Sequence, residues 1–354
     1  PLYHDMGLIG VLLGAMSYPG PLVLLAPEHF LARPALWLRA MARHRATISM
    51  APSFAYAYCA ERVGADDLGG GSLAAWRLAL DGAEPVSGEA LRAFAARFGP
   101  HGLDPGALVP VYGLSEAALA LTFAAPGGPL VGARLDAAAL AAGRAVPVDA
   151  PPGAPGVREV VPVGRPIPGV EVEVRGEDGA PAGEGRLGRV FARGPSLFAG
   201  YLGDPEATAR ALRGGWLDTG DLGFVLGGAL HLHGRAKDLV IVRGANHAPE
   251  TFEAALHGLP GLRPGCAVAL GFTPPEGGEA LLLLLERARG AAPADDAALE
   301  AAARRAVSAR TGVAPHTVAV LAPGTLPRTS SGKLRRGEAL RRFQAGALSP
   351  PGRT

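Results

Sequence analysis

Four short apolar runs, at residues 22–26, 46–50, 76–80 and 108–112, alternate with helical stretches, and this alternation restricts the fold more than any other feature of the chain. Such a pattern favours parallel strands joined by crossover helices, with both sheet faces covered. The helix expected over 34–43 carries Pro34 in its first turn. A second helix begins at the N-cap residue Ser87, sets Leu91, Phe94, Ala95 and Phe98 at helical spacing, and stops at Gly99-Pro100. Ligands of such sheets bind beyond the carboxyl ends of the strands, so the turns that follow the runs are where a site is expected.

The pattern then changes twice. Residues 126–158 are rich in Ala, Gly and Pro, with one short helix expected around 136–142. Residues 170–174 and 186–193 alternate apolar with polar, as half-buried antiparallel strands do. Beyond Asp238, strands at 239–242, 267–272, 281–285 and 318–321 combine with a helix that runs from Asp295 or Asp296 to about 309. The expected organisation is an α/β core with a mostly parallel sheet over 1–160 and a small β-barrel-like subdomain over 161–237. A mobile α+β domain follows over 238–345, with a tail at 346–354.

Composition excludes several classes. A net charge of +2 gives no electrostatic basis for nucleic-acid binding. Cys59 and Cys266 are too few and too far apart for a disulfide framework, which places the protein in a reducing cytoplasm. Residues 7–26 are uncharged and long enough to span a bilayer, yet Tyr18-Pro19-Gly20-Pro21 would break a spanning helix. The stretch reads instead as a buried helix over 8–16, a turn, and a buried strand at 22–26. No signal peptide is visible. The basic segment 334–342 reads as a solvated helix face.

Only two lysines accompany thirty-two arginines. Where arginine is the default cation, a retained lysine suggests a need for a compact, strongly hydrated ammonium. Lys333 closes Pro327-Arg328-Thr329-Ser330-Ser331-Gly332-Lys333, a flexible hydroxylated stretch suited to presenting one charge to a phosphate. It is not a phosphate-loop motif, because Pro327 and Leu334 stand where Gly and Ser or Thr are required. Lys237 lies in Gly234-Arg235-Ala236-Lys237-Asp238, a charged turn before the run Leu239-Val240-Ile241-Val242. Four more clusters occupy turns: Tyr3-His4-Asp5-Met6-Gly7, Asp81-Gly82-Ala83-Glu84-Pro85, Tyr112-Gly113-Leu114-Ser115-Glu116 and Trp216-Leu217-Asp218-Thr219-Gly220-Asp221. The third offers an aromatic face, a flexible glycine and a carboxylate suited to magnesium.

In order and spacing these motifs resemble the adenylate-forming superfamily of acyl-CoA synthetases, adenylation domains and luciferases. Within it the chain looks most like fatty acyl-AMP ligases. The resemblance runs from Pro1-Leu2-Tyr3-His4-Asp5-Met6-Gly7-Leu8 to Lys333-Leu334-Arg335-Arg336. The long spacer between Glu116 and Val163-Gly164-Arg165-Pro166-Ile167-Pro168-Gly169, and the stretch Val242-Arg243-Gly244-Ala245-Asn246-His247-Ala248-Pro249, carry the subgroup likeness. The resemblance implies ATP and a fatty acid as substrates, magnesium as cofactor, and an acyl carrier protein as thiol acceptor. It implies that Asp81, Gly82, Ala83, Glu84, Tyr112 and Gly113 bind adenine, that Asp221 and Arg235 bind ribose, and that Glu116 binds magnesium. His4 would lie near the acyl carboxylate, Lys333 would meet that carboxylate and the α-phosphate, and Lys237-Asp238 would be the hinge.

Two departures accompany the likeness. The superfamily's Ser/Thr/Gly-rich phosphate loop is not in this sequence, so the first part of the large domain is expected to precede Pro1. Asp218 stands where relatives usually carry a basic residue. The competing expectations are a fatty acyl-CoA ligase, which differs in its thiol, and a non-catalytic remnant or one piece of a split protein.

Overall fold

The computed structural model describes residues 1–18, 20–329 and 333–348. Pro19 of the first turn, residues 330–332 before Lys333 and residues 349–354 of the tail lie outside the described residues.

Helices α1 (Gly14–Ser17), α2 (Pro27–Ala32) and α3 (Ala35–His44) lead into β1 (Ile48–Ala51). Then α4 (Ser53–Arg62) joins β1 to β2 (Leu78–Asp81), and α5 (Gly88–Phe98) joins β2 to β3 (Leu108–Tyr112). The three strands are parallel, with Ile48 opposite Leu78 and Ala79 opposite Leu108. Ser87 caps α5 as expected, its Oγ accepting from the Ala90 N–H at 3.1 Å. Leu91, Phe94 and Phe98 then face inward and are fully buried. Phe94 meets Tyr56 of α4 and Trp76 edge-on, with ring centroids 5.1 and 6.0 Å apart, a favourable aromatic geometry.

The chain before β1 departs from the sequence expectation. Residues 6–17 are helical, Met6–Leu13 in π-helical form, but none of them is buried. Residues 22–26 form no strand, and Leu22, Val23 and Leu24 are exposed. Hydropathy reports a preference for leaving water, and burial also needs a surface to pack against. Among the described residues no strand lies beyond β1 to receive this segment.

After β3 the pairing turns antiparallel. Strand β4 (Thr122–Phe123) pairs with β3. An excursion follows, through β5 (Ala133–Asp136), α6 (Ala137–Ala141) and β6 (Val157–Val160). The chain returns as β7 (Pro162–Pro166), which pairs with β4. Gly164 makes that return possible: its φ is +86°, and a Cβ there would lie 1.8 Å from the Phe123 carbonyl oxygen. Then come β8 (Glu171–Arg175), β9 (Gly188–Arg193), α7 (Pro205–Ala211), β10 (Leu212–Arg213), β11 (Trp216–Leu226) and β12 (Ala229–Arg235). All but β5 and β6 join one ten-stranded sheet of order β1-β2-β3-β4-β7-β12-β11-β9-β8, with β10 on β11. The expectation of a mostly parallel sheet is therefore corrected to a mixed one. Only β1, β2 and β3 run parallel, and β4 carries hydrogen bonding onward into the antiparallel strands, which follow an open path among the described residues.

A turn at Ala236–Asp238 leads to the last unit. It holds the hairpin β13 (Val240–Val242) and β14 (Ala245–His247), then α8 (Pro249–Ala254). Strands β15 (Leu262–Phe272) and β16 (Ala280–Arg287) precede α9 (Asp296–Thr311), β17 (Thr317–Leu321) and α10 (Arg336–Gln344). In the sheet β15-β16-β17, every residue of β16 is buried. Leu281, Leu283 and Leu285 pack with Leu299, Ala303 and Val307 of α9, while Leu282 and Leu284 pack with Leu321 and Ala339 of α10. Covering both faces explains the unbroken leucine run. The expectation of a solvated helix over 334–342 needs one correction. Arg341 and Arg342 are solvated, but the Arg336 side chain is only 15% exposed and pairs with Glu250 and Glu253, because it faces α8.

Candidate active site

The ends of β2 and β3 and the β11–β12 pair converge on a cavity of about 1780 Å³, which residues following β17 also line. His4, Ala83, Glu84, Tyr112, Gly113, Glu116, Asp221, Arg235, Asp238 and Lys333 all line it. Ten residues from six separate sequence clusters therefore line one cavity.

Sheet register explains part of this. Asp221 and Arg235 are directly opposite on neighbouring antiparallel strands, and Arg235 Nε lies 3.2 Å from Asp221 Oδ1. The Tyr112 hydroxyl donates to Asp221 Oδ2 at 2.6 Å, joining the end of β3 to β11. Burial raises the Asp221 carboxyl above its ordinary range, an effect opposed by the Tyr112 hydrogen bond and by Arg235. The carboxylate oxygens thus stand buried beside the cavity, already paired with two donors.

Gly113 has a packing reason of its own. A Cβ there would fall 1.6 Å from the Leu119 carbonyl oxygen, so the 113–119 turn can fold back only with glycine. The turn presents Glu116, whose Oε1 accepts from the Tyr201 hydroxyl at 2.7 Å. This contact pushes the Tyr201 hydroxyl up to about 12. Tyr201 was not singled out in the sequence. It sits in the loop after β9, far from Glu116 along the chain, and only an exposed aromatic after Gly200 hints at it.

His4 and Asp5 act together. Asp5 Oδ1 lies 2.7 Å from His4 Nδ1, and Asp5 Oδ2 accepts from the Ser115 hydroxyl at 2.6 Å. Burial, aided by the positive charge of Lys333, lowers the His4 pKa despite Asp5, so the ring is neutral at neutral pH. Burial also raises the Glu84 carboxyl, opposed by a hydrogen bond from the Phe54 N–H at 2.6 Å and by Lys333. Lys333 is therefore electrostatically close to residues from both His4 and Glu84, although it belongs to the C-terminal unit. Its own position is fixed by backbone contacts: the Thr329 N–H donates to the Lys333 carbonyl at 2.8 Å, and the Lys333 N–H donates to Thr329 Oγ1 at 3.0 Å.

Three of the predicted residues, Asp81, Gly82 and Lys237, lie outside the cavity lining. Asp81 is fully buried, and its Oδ2 accepts from the Ser53 hydroxyl at 2.6 Å, which in turn accepts from the Ser87 N–H at 3.0 Å. Its side chain ties β2 to the starts of α4 and α5 and does not line the cavity. Gly82 is also buried and outside the lining. Lys237 is exposed in the turn beside Asp238. The departure at Asp218 has a structural partner: Arg189 of β9 donates to its Oδ1 at 2.7 Å, so its charge is taken up away from the cavity.

The donor set fits a magnesium nucleotide. Glu116 is a hard carboxylate on the cavity wall, and magnesium is commonly held by one or two carboxylates together with substrate phosphates. No cluster of three or more His, Cys, Asp or Glu side chains suited to a resident metal occurs among the described residues. No helix among them is long and apolar enough to cross a membrane.

Known proteins share this architecture. A Caulobacter vibrioides protein provisionally named as an acyl-CoA synthetase is 41% identical over 350 residues, spanning 98% of this chain and 60% of its own length. The medium-chain-fatty-acid–[acyl-carrier-protein] ligase JamA of Moorena producens is 33% identical over 359 residues, with 98% and 60% covered. A structure from studies of fatty acyl-adenylate ligases of E. coli and L. pneumophila superposes with a TM-score of 0.89 at 36% identity, covering 98% of this chain and 62% of that one. The chain thus spans about 60% of the length of the curated relatives it matches. The family model for the AMP-binding enzyme matches residues 1–202, and with the fold and the site above it the chain belongs to that family of adenylate-forming, AMP-producing ligases.

Proposed function

We propose that the site activates a fatty acid with ATP to an acyl-adenylate and passes the acyl group to the thiol of an acyl carrier protein. The observation that carries this reading is that Lys333, His4, Glu84, Asp221, Arg235 and Glu116 line one cavity, with the Lys333 charge acting on both His4 and Glu84. In-line attack of a carboxylate on the α-phosphorus accumulates negative charge, and a positioned ammonium is the group to stabilise it. Lys333 meets the α-phosphate and the acyl carboxylate in this reading, with neutral His4 beside that carboxylate. Ala83, Glu84 and the Tyr112–Gly113 turn receive the adenine, and Asp221 with Arg235 receives the ribose hydroxyls. Glu116, steadied by Tyr201, holds magnesium, which supplies positive charge to the phosphates when bound. The acyl tail follows the apolar wall that includes Gly10, Met50, Leu78, Leu119 and Phe123. The unit beyond Asp238 is the mobile lid, swinging at Lys237-Asp238 between adenylation and transfer. Two free buried cysteines, Cys59 and Cys266, suit a cytoplasmic enzyme.

The carrier-protein acceptor is supported by the excursion between β4 and β7. Arg92 of α5 holds Glu159 with two hydrogen bonds of 2.6 and 2.8 Å, and Arg158 donates to the His233 carbonyl of β12 at 3.1 Å. Helix α6 lies beside β14 of the C-terminal unit. An excursion anchored in this way restricts the rotation of that unit and crowds the approach of free CoA. A docked carrier still delivers its arm at high effective concentration. The Caulobacter vibrioides relative favours a second reading, in which CoA itself is the acceptor.

The two readings separate by product. In a form spanning the full length of its relatives, the enzyme is expected to acylate a carrier protein at least about tenfold faster than CoA, both at micromolar concentration. Removing residues 126–158 is expected to raise acyl-CoA formation. Efficient acyl-CoA formation by the undeleted enzyme decides for CoA as acceptor.

A further inference from the structure

The strand that forms the middle of the C-terminal sheet contains a charge it does not need for packing. Six apolar residues, Ala280 to Leu285, are followed in β16 by Glu286, which is 0% exposed. Burying an ionised carboxylate is costly unless charge and hydrogen bonds offset it, so its partners show what it holds. Glu286 Oε2 lies 2.6 Å from Arg263 Nη1 of β15. Its Oε1 accepts from the Leu326 N–H at 2.8 Å, and the Gly324 N–H also donates to the carboxylate. Burial alone would raise this carboxyl, but the two backbone donors and Arg263 hold it below the usual range, so it stays ionised.

Gly324 and Leu326 begin the segment that delivers Lys333. Further along, Arg328 donates to the Gly265 carbonyl at 2.7 Å, and the Arg335 N–H donates to the Pro327 carbonyl at 2.9 Å. Arg336, just past Lys333, is held by Glu250 and Glu253. The lysine is therefore tied on both sides, to the sheet before it and to α8 after it, and on its leading side the buried tie is Glu286. Glu286 itself does not reach the cavity.

We propose that Glu286, paired with Arg263, is a positioning residue for adenylation: it fixes the 324–329 segment on the sheet so that the Lys333 ammonium arrives beside His4 and Glu84. This rests on the reading that Lys333 serves adenylation. Misplacing a catalytic group by about 1 Å costs on the order of 10²-fold in rate, so a remote anchor has a measurable effect.

The test is a double-mutant cycle on acyl-AMP formation, in a form spanning the full length of the relatives. Glu286→Gln removes the charge while keeping one acceptor, and is expected to lower kcat by about 10–50-fold with KM for ATP and fatty acid within about twofold. Arg263→Gln, at a partly exposed position, is expected to lower kcat in the same way by about 3–10-fold and serves if Glu286→Gln does not fold. Added to Lys333→Ala, either change is expected to cost no more than about a further twofold, because a positioning residue has nothing left to position. Wild-type kcat in both single variants, or losses that multiply fully with Lys333→Ala, overturns the proposal while leaving the adenylation reading intact. A Lys333→Ala enzyme with nearly full activity overturns both.

Discussion

Lys333→Ala is expected to reduce acyl-AMP formation by roughly 10²–10³-fold, the usual loss for one transition-state donor. The ammonium is the one lysine charge that lines the cavity, and it comes from the C-terminal unit to a cavity that His4 and Glu84 of the large one also line. Its stabilisation grows as the α-phosphate gains charge, so kcat should fall far more than KM rises. Folding should hardly notice. Lys333 is exposed, its side chain packs in no apolar cluster, and the hairpin contacts around it are made by backbone and Thr329. The melting temperature should move by no more than about 2 °C, the range of an ordinary surface substitution. Activity within about a factor of two of the parent would show that the lysine is a surface residue after all. Asp221→Ala gives a useful contrast, because a ribose contact is made in ground and transition states alike and its loss should appear as a higher ATP requirement.

The largest expected loss of stability belongs to Phe94→Ala. Phe94 is 0% exposed and is the ring on which Trp37, Tyr56, Trp76 and Phe98 converge, with centroids 4.7 to 6.3 Å away. Large aromatic rings cannot close over the space left by the truncation, and such changes cost about 3–5 kcal/mol. At about 2–4 °C per kcal/mol, the melting temperature should fall by roughly 6–20 °C. Phe54→Ala, at a position 49% exposed, is the matched control and should cost far less. Equal losses in the two variants would mean that the aromatic cluster is not the centre of this core. The effect reaches the site because α5 packs over β2 and β3, whose ends present Glu84 and Tyr112 to the cavity.

How much of this was legible in the sequence depended on distance along the chain. Ser87 as the cap of α5, and Leu91, Phe94 and Phe98 as its inward face, follow from local spacing, and the structure keeps them. Strand β3 falls at Leu108–Tyr112, where a short apolar run stood between turn signals. Helix α4 carries no local start signal, since its N-cap is Pro52 with no side-chain hydrogen bond, and burial of Ala55, Tyr56 and Cys59 in the core it shares with α5 holds it in place. The motif clusters showed which segments meet but not where each side chain turns. Asp81 looked like a ligand group and is instead tied to Ser53, because a β2 residue that faces inward cannot also face the cavity. The Tyr201–Glu116 bond and the Glu286 anchor join residues whose nearness is set by crossovers and sheet order, which no local pattern records. The apolar segment before β1 misled for a different reason: its composition states a preference for burial, and the described fold offers it no covering surface.

The most direct test of the central claim is fatty-acid-dependent exchange of labelled pyrophosphate into ATP, measured in a form spanning the full length of the relatives. The account predicts exchange that requires both a fatty acid and magnesium, and that falls by roughly 10²–10³-fold in Lys333→Ala. Exchange that is independent of fatty acid, or absent altogether in a folded protein of that length, would contradict it.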